Sequence, residues 1–538
     1  MQHTIDYSSS AQGSRFRQLQ SQLREIWSSV DLFDQDNYDI LVVPSLSLDQ
    51  RELNKIKGFL HYEERLLFSL IRLRNPHTRL IYVTAQPLPP IVIDYYLQLL
   101  PGIPFSHARD RLLLMTTYDG SLKSLSQKIL ERPRLIARLR QALRPGKSYM
   151  VCYNSTPWER ELSLQLGIPL LAPDPDLLHW GTKNGSRQIF AESDIPYPDG
   201  SELVHNVGDL AEAAAQLWER QSALKRIVVK LNEGFSGEGN ALLDLRKMAE
   251  VAPGEASHSQ RVAALSKHFE QMSFQSASET WLEFSSRIPE LGAIVEAFIE
   301  GEEKRSPSVQ GYITPTGEVK ILSTHDQILG GPDGQIYLGC RFPAEEAYRL
   351  RLQTLGMQVG RVLAAKGAIE RYGVDFIAVR QPEDSNSSWD LQAIEINLRK
   401  GGTTHPFMSL KYLTNGRYDL STGLFYSQQG RQKYYLATDN LQKERYRGLI
   451  PNDLMDIITH HRLHFDSSNR TGIVFHLMGT LSEFGKLGLT SIGDSPQHAE
   501  DLYNQVVNVL DQETSPNADY SSPASYPGVP IAWRLGMK

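Results

Sequence analysis

The stretch RIVVKLNEGFSGEGN at residues 226–240 joins a strongly apolar segment to a glycine-rich loop. Its β-branched residues predict a buried strand that reaches Lys230. Gly234, Gly237 and Gly239 follow, and glycines let a backbone approach an anion closely and point its N–H groups at it. No G-x-x-x-x-G-K-[ST] string is present, so the stretch is not the common P-loop. Taken alone, a surface hairpin with a solvated lysine fits it about equally well.

A second motif, AIEINLRKGGTTHPF at residues 393–407, offers oxygen ligands. Glu395 and Asn397 lie two apart on a predicted strand and therefore share one face. Asp375, in the preceding predicted strand GVDFIAV, can join them, and such hard oxygen atoms suit Mg²⁺ bound together with phosphate. Arg399 follows and can stabilise charge on a transferring phosphoryl group. The alternatives are an outward polar stripe on a half-exposed strand and a surface arginine.

A third motif, IVEAFIEGEE at residues 294–303, predicts a strand that ends in a hinge. Backbone groups from Glu296 to Ile299 can read the edge of an adenine ring, and Glu303 can bind ribose hydroxyls. Without the other motifs, this one would be interpreted as a plain strand end with solvated acids.

Composition and charge exclude several classes of protein. The chain has 538 residues, enough for about three or four domains, and a net charge of −6, which argues against a polybasic nucleic-acid surface. Two cysteines, Cys152 and Cys340, make neither a disulfide framework nor a cysteine-based zinc site. We find no apolar signal core and no run of about 18 apolar residues, so we expect a cytoplasmic protein without a membrane partner.

Strands and helices alternate through residues 16–175. Apolar runs such as Arg79–Thr84 predict strands, and apolar spacing predicts a helix over residues 50–74. This alternation predicts a parallel, doubly wound α/β sheet.

Taken in chain order, the motifs resemble the ATP-grasp superfamily. Lys183, in WGTKNGSRQIF, resembles the first nucleotide-binding lysine of that superfamily, and Lys230 resembles the second. Arg399 matches its catalytic arginine, and the resemblance implies a catalytic role for Lys230 as well. The resemblance implies nucleotide contacts by Glu233, Gly234, Ser236, Gly237, Gly239, Glu296, Ile299 and Glu303, and metal ligation by Asp375, Glu395 and Asn397.

The resemblance also divides the chain. It implies a flexible N-terminus (1–15), a Rossmann-like pre-ATP-grasp domain (16–175), an α+β ATP-grasp domain with the nucleotide and magnesium sites (176–410), an additional C-terminal α/β domain (411–513) and a tail rich in serine and proline (514–538).

Three longer strings narrow the resemblance to the pheganomycin-type peptide ligases: EINLRKGGTTHPF (395–407), QILGGPDGQIYLGCRFP (327–343) and GIVFHLMGTLSEFGKLGLTSIGDS (472–495). This implies an ATP-dependent carboxylate–amine ligase that forms peptide or amide bonds through an acyl phosphate and releases ADP and phosphate. The implied cofactors are ATP and one or two Mg²⁺ ions, with Mn²⁺ as a substitute. Two alternatives stay open: a catalytically degenerate ATP-binding regulatory or scaffold protein, and an ATP-grasp enzyme with another phosphoryl acceptor.

The expected partners are a small-molecule carboxylate and an amine, amino acid or peptide, with no nucleic acid. Candidate substrate contacts are Arg305, His325, Arg341, Lys400, Gly401 and Thr403, and each can equally be structural. Arginine is favoured because it binds carboxylates bidentately. The C-terminal unit either caps the substrate site, packs against the core or mediates a homodimer.

Overall fold

The computed structural model describes residues 10–515, apart from 32–35, 49, 101, 235–238, 275–278, 331–335 and 381–388. Within these described ranges, no helix is long and apolar enough to cross a membrane. The first helix begins at Ser10, inside the segment expected to be flexible. The tail predicted for residues 514–538 lies outside the described residues except for its first two positions.

The N-terminal region forms a four-stranded parallel sheet in the order β3-β2-β1-β4. Its strands are β1 (Asp39–Val43), β2 (Arg79–Thr84), β3 (Leu112–Thr116) and β4 (Ser148–Cys152). Its α-helices are α1 (Ser10–Asp31), α2 (Gln50–Lys55), α3 (Pro90–Gln98), α4 (Phe105–Arg109), α5 (Leu125–Leu130), α6 (Pro133–Ala142) and α7 (Pro157–Leu166), with 3₁₀ helices at Phe59–Arg74 and Pro175–Gly181.

Both faces of the sheet are buried at β1, β2 and β4, which explains the unbroken apolar runs of these strands, whereas Leu113 and Leu114 of the edge strand β3 are exposed. Ile40 and Val42 of β1 pack on the side of the Phe59–Arg74 helix, whereas Leu41 and Val43 pack on the side of α5 to α7. The predicted doubly wound sheet is confirmed. The single helix predicted over residues 50–74 is wrong, because Gly58 takes a left-handed φ of 73° and separates α2 from the 3₁₀ helix.

The second region contains a small antiparallel sheet in the order β7-β6-β5-β8. Its elements are α8 (Lys183–Glu192), α9 (Val207–Arg220), β5 (Arg226–Leu231), β6 (Asn240–Asp244), α10 (His258–His268), β7 (Ser273–Phe274), α11 (Trp281–Leu291) and β8 (Ala293–Ala297), with 3₁₀ helices at Leu245–Val251 and Phe269–Gln271. Ile227, Val229 and Leu231 pack beneath α9, α10 and α11. Because side chains alternate along a strand, Lys230 points to the opposite face.

The third region is built on one sheet of eleven strands, whose main path runs β14-β13-β10-β11-β12-β17-β16-β15. Its strands are β9 (Glu303–Arg305), β10 (Pro307–Ile313), β11 (Val319–Gly330), β12 (Ile336–Phe342), β13 (Glu370–Arg380), β14 (Asp390–Asn397), β15 (Arg417–Asp419), β16 (Leu424–Tyr426), β17 (Gln432–Gln442), β18 (Gly472–His476) and β19 (Lys486–Gly493). Its helices are α12 (Glu346–Ala365), α13 (Thr404–Thr414), α14 (Pro451–His461), α15 (Leu481–Phe484) and α16 (Pro496–Glu513), with 3₁₀ helices at Glu444–Tyr446 and Met478–Thr480.

The C-terminal strands continue this sheet rather than forming a sheet of their own. Strand β17 pairs with β12 on one side and with β19 on the other. The boundary expected at residue 410 falls inside α13. The region after residue 410 therefore contributes directly to the surface that the large sheet presents.

His325 of β11 lies in the interior of the large sheet. It is fully buried, and its Nε2 lies 2.6 Å from the hydroxyl of Tyr435 on β17. Burial lowers the pKa of His325 from 6.5 to about 3. The folded protein therefore holds this imidazole neutral over a pH range in which the unfolded chain protonates it.

We expect this histidine to make the protein acid-sensitive. Below pH 6.5 the unfolded chain binds a proton at His325, whereas the folded chain does not bind it until about pH 3. The free energy of unfolding therefore decreases as the pH is lowered from 6.5 to about 3. At pH 5 the loss is about 2 kcal/mol relative to pH 8, since each pKa unit corresponds to about 1.4 kcal/mol. In urea unfolding at pH 8 and pH 5, the free energy of unfolding of His325→Gln should decrease between the two pH values by about 2 kcal/mol less than that of the wild type. His107→Gln, at an exposed histidine, is the matched control, and an equal acid loss in wild type and His325→Gln would contradict the prediction.

Candidate functional site

A cleft of about 1030 Å³ lies between the small sheet and the large sheet. Charged and polar side chains on its walls include Lys230, Asn240 and Glu296 from the small sheet and Gln310, Gln327, Asp375, Glu395, Asn397 and Arg399 from the large sheet or its edge. Its volume is that of a site for a nucleotide-sized ligand.

A buried ion-pair network forms the small-sheet wall. The Nζ of Lys230 donates to Oε2 of Glu296 at 2.5 Å, and Nη1 of Arg187 donates to Oε1 of the same carboxylate at 3.2 Å. Lys230 is 6% exposed and Glu296 is 3% exposed. Two cations share one carboxylate, so this wall carries a positive surplus that suits an anionic ligand.

The large-sheet wall brings Asp375, Glu395 and Asn397 together. Strands β13 and β14 pair in a register that sets Asp375 opposite Glu395. The amide of Asn397 donates to Oδ2 of Asp375 at 2.9 Å. Gln327 of β11 donates to Oδ1 of Asp375 at 2.7 Å, a contact that sequence reasoning missed because it depends on the pairing of distant strands.

The two acids of this wall have different electrostatic surroundings. Burial and the neighbouring Glu395 raise the pKa of Asp375 to about 7. Burial opposes ionisation of Glu395 too, but Lys183, whose Nζ lies 2.6 Å from Oε2, brings its pKa below the usual range. The carboxylates of Asp375 and Glu395 and the amide oxygen of Asn397 are donors that suit a hard divalent cation. Such a cation would favour the ionised form of both acids.

Lys183 is positioned by the start of helix α8. Thr182 caps this helix by accepting a hydrogen bond from the backbone N–H of Gly185. The backbone N–H of Lys183 itself donates to the carbonyl of Asn232 at 3.0 Å, which ties the helix to the end of β5. The side chain of Lys183 is buried, and its ion pair with Glu395 connects helix α8 to the acids of the large-sheet wall.

Arg399 lies two residues beyond the end of β14 and lines the cleft. Its Nη1 donates to the carbonyl of Lys400 at 3.2 Å. Gly401 and Thr403 line the same part of the cleft, and the N–H of Gly401 donates to the hydroxyl of Thr404. The turn after β14 therefore presents a guanidinium directly beside the acids.

The glycine-rich loop connects β5 to β6 as a hairpin. The described ends are anchored by a hydrogen bond from the N–H of Leu231 to the carbonyl of Gly239, whose φ is 81°. Glu233 and Gly234 are exposed. Ser236 and Gly237 lie outside the described residues, so the predicted anion cradle stays a prediction.

The hinge motif lies partly in the cleft. Ile299 lines it, and so does Arg305. Glu303, expected to bind ribose, instead forms an ion pair with Arg380, whose Nε lies 2.7 Å from its Oε2. Glu303 lies on β9, which pairs with β13 and sets Glu303 opposite Arg380. The ion pair with Arg380 occupies the carboxylate that the sequence predicted would bind ribose.

Three of the six candidate substrate residues point elsewhere. Arg341 is bonded to Glu500 of α16 at 3.0 Å on the exposed surface. Lys400 is buried and lies 2.9 Å from Glu370, beside a second cavity of about 200 Å³. His325 is enclosed in the sheet interior. The sequence could not separate these residues from the cleft-lining Gly401, because their directions depend on tertiary packing.

The far end of the cleft contains residues that sequence reasoning missed. They come from the N-terminal region and from the C-terminal strands, and they are Tyr62, Arg65, Tyr153, Asp439, Asn440, Gln442 and Lys486. No local motif marks them, since they lie in ordinary helix and strand patterns. They show that all three regions of the chain share one cleft.

Sequence comparison finds known proteins that are similar to most of the chain. A model described as IQCH-like, ATP-grasp matches residues 176–260 and 252–421, and a PGM1 C-terminal domain model matches residues 453–506. The chain is 29% identical over 481 residues to the L-propargylglycine–L-glutamate ligase of Streptantibioticus cattleyicolor, covering 87% of this chain and 93% of that protein. It is 24% identical over 429 residues to IQ motif-containing protein H of Danio rerio, covering 72% of this chain but only 40% of that protein.

Solved structures share the fold. The biotin carboxylase domain of the 2-oxoglutarate carboxylase of Hydrogenobacter thermophilus, solved with ADP, magnesium and bicarbonate, matches with a TM-score of 0.53 at 13% identity, over 88% of this chain and 89% of that one. A biotin carboxylase of Campylobacter jejuni matches with a TM-score of 0.54 at 12% identity, over 89% and 95%. The region that the IQCH-like, ATP-grasp model matches runs from before Lys183 to beyond Arg399, so the named residues of both cleft walls lie within it.

Proposed function

We propose that the protein is an ATP-dependent carboxylate–amine ligase. One observation carries this proposal: a cationic wall with Lys230 faces a wall of Asp375, Glu395 and Asn397 across one cleft, with Arg399 at its edge. A relative that covers most of the chain is a ligase named for two amino acids, which supports the same class of reaction.

Lys230 and Lys183 would bind the phosphates of ATP. Each lysine is held by a carboxylate, Glu296 for Lys230 and Glu395 for Lys183, so the ammonium groups are positioned before the nucleotide arrives. The apolar side chain of Ile299 and the backbone near it line the cleft where a base can be enclosed. The hairpin loop after Lys230 would cover the phosphates and exclude water.

Asp375, Glu395 and Asn397 would hold Mg²⁺. Bound magnesium supplies charge neutralisation for the phosphate oxygens of ATP. Gln327 is a positioning residue in this proposal, because its amide fixes one oxygen of Asp375. Mn²⁺ is a chemically similar substitute.

The reaction would proceed in two steps. An oxygen of the substrate carboxylate attacks the γ-phosphorus, a new O–P bond forms, and the bond to ADP breaks. The amine then attacks the acyl carbon, the C–N bond forms, the nitrogen loses one proton to the solvent, and phosphate leaves with the C–O bonding pair. Arg399 would stabilise the negative charge on the transferring phosphoryl group and on the tetrahedral intermediate.

Arg305 and Lys486, which both line the cleft, would provide positive charge for the substrates, and Gly401 leaves room for them. Such cations suit the carboxylate of an amino acid or a peptide. The cytoplasm, as the main supply of ATP, is the proposed location, and a homodimer stays a prediction.

A screen for ADP release over pairs of carboxylates and amines tests this proposal. The account predicts that one class of pairs gives ADP only when both members are present, with a product whose mass is the sum of the two minus water. ATP binding without ADP formation would favour a regulatory protein. ADP formation that depends on the carboxylate but never on an amine would favour another phosphoryl acceptor.

Replacement of the arginine beside the acids should abolish turnover. Arg399→Ala should lower the rate of amine-dependent ADP release by roughly 100- to 1000-fold, because it removes a charged group that stabilises the transition state. Its circular dichroism and melting temperature should match the wild type. Arg341→Ala is the matched control, since Arg341 lies on the surface with Glu500, and it should keep its activity. Wild-type turnover in Arg399→Ala would refute the assignment.

The metal requirement should depend on the amide in β14. Asn397→Ala removes one oxygen ligand and the hydrogen bond to Asp375, so we expect the Mg²⁺ concentration for half-maximal activity to rise by about 10-fold or more. Asp390→Asn, at the exposed opposite end of the same strand, should leave that concentration unchanged. Equal Mg²⁺ dependence in both variants would show that Asn397 is not a ligand.

A further inference from the structure

Three potential metal ligands meet beneath the far end of the cleft. They are His405 on α13, Asp439 on β17 and His476 at the end of β18, and their exposed fractions are 5%, 2% and 2%. One donor atom from each lies within 4.8 Å of the others. The Nε2 of His476 is 2.7 Å from Oδ1 of Asp439, and the Nε2 of His405 is 3.5 Å from the same oxygen.

Hydrogen bonding accounts for only part of this buried cluster, namely the contact between Nε2 of His476 and Oδ1 of Asp439. Both ring nitrogens of His405 and the Nδ1 of His476 are without a hydrogen-bond partner in the described part of the chain. Buried polar atoms in folded proteins are almost always paired, and an unpaired one costs its full desolvation. The two imidazole rings lie with centroids 3.7 Å apart, which places two nitrogen-rich rings against one carboxylate.

Their positions are fixed by the fold rather than by loose loops. Gly488 of β19 lies opposite His476, and a Cβ at this glycine would come within 2.2 Å of the ring. The absence of a side chain there creates the space that the imidazole fills. His405 is set in the second position of α13, directly after the turn that carries Gly401 and Thr403.

We infer that His405, Asp439 and His476 bind a divalent transition-metal ion of the zinc class. Imidazole nitrogens with one carboxylate oxygen are the donor set of such ions, and bond lengths near 2.0–2.1 Å place tetrahedral donors about 3.3 Å apart. The separations of 2.7 and 3.5 Å between Oδ1 of Asp439 and the two Nε2 atoms lie on either side of that value. Asp439 also lines the cleft, so the fourth position would open toward it.

Arg65 provides the outer contact that a ligating carboxylate needs. It forms an ion pair with Oδ2 of Asp439, and its Nη1 donates to the hydroxyl of Tyr153 at 3.0 Å. This leaves Oδ1 directed to the two histidines. Because the charge of Arg65 already balances Asp439, the site favours an anionic fourth ligand, either hydroxide or a carboxylate in the cleft.

This site is chemically different from the oxygen site of Asp375, Glu395 and Asn397. Oxygen ligands suit magnesium, whereas two imidazoles select a transition metal. The inference therefore does not rest on the proposed ligase activity. A ligase without this metal and a metal protein without ligase activity are distinguishable results.

Cobalt binding to the full-length protein tests the inference. The protein is stripped with a chelator and titrated with Co²⁺ in the absence of nucleotide. We expect one equivalent to bind and give the intense visible absorption of a tetrahedral cobalt site, which one equivalent of Zn²⁺ then removes. Zn²⁺ should also raise the melting temperature. No absorption at one equivalent, or a weak octahedral spectrum that Asn397→Ala abolishes, would overturn the inference.

Variants of the three residues locate the ion. His405→Ala and His476→Asn should each lose the tetrahedral absorption and the shift in melting temperature on adding Zn²⁺. His461→Ala, at a histidine paired with Glu513 near the surface, is the matched control and should retain both. If either histidine variant fails to fold, the other decides, and retention of the spectrum in a folded variant would overturn the inference, leaving a buried network with Asp439 as the acceptor.

Discussion

The architecture of the cleft depends on two buried lysines, each held by a carboxylate. Lys230 is fixed by Glu296, and Lys183 is fixed by Glu395. A buried charge without a partner is strongly unfavourable, so each pair must form for the two walls to pack. The same pairing leaves the ammonium groups oriented at the place where an anion enters. The ion pairs therefore serve the fold and prepare the site.

The two-residue repeat of the strands decides which side chains reach the cleft. In β5, Val229 joins the core under the helices while Lys230 faces the cleft. In β13 and β14 the register sets Asp375 against Glu395, with an irregularity directly after Asp375. The large sheet then continues through β12 and β17 into the C-terminal strands, which brings Asp439 to the same cleft as Lys230. One continuous sheet thus connects the wall of Asp375, Glu395 and Asn397 to the far end of the cleft.

The local chemistry of the site could be predicted from the sequence, because strand alternation is local. Glu395 and Asn397 share a face for that reason, and Asp375 joins them through adjacent-strand pairing. Long-range partners could not be predicted in this way. Glu303 faces Arg380, and Arg341 faces Glu500 of a helix about 160 residues later. Arg65 contacts Asp439, which lies 374 residues later in the chain, and no sequence pattern records that contact.

Transfer of an isotope label tests the central claim most directly. The carboxylate substrate identified by amine-dependent ADP release is labelled with ¹⁸O in both carboxylate oxygens, and the released phosphate is analysed by mass spectrometry. The account predicts one ¹⁸O atom in each phosphate, because the carboxylate oxygen that attacks the γ-phosphorus leaves with it when the amide forms. Phosphate without ¹⁸O, formed together with the amide product, would contradict an acyl-phosphate ligase.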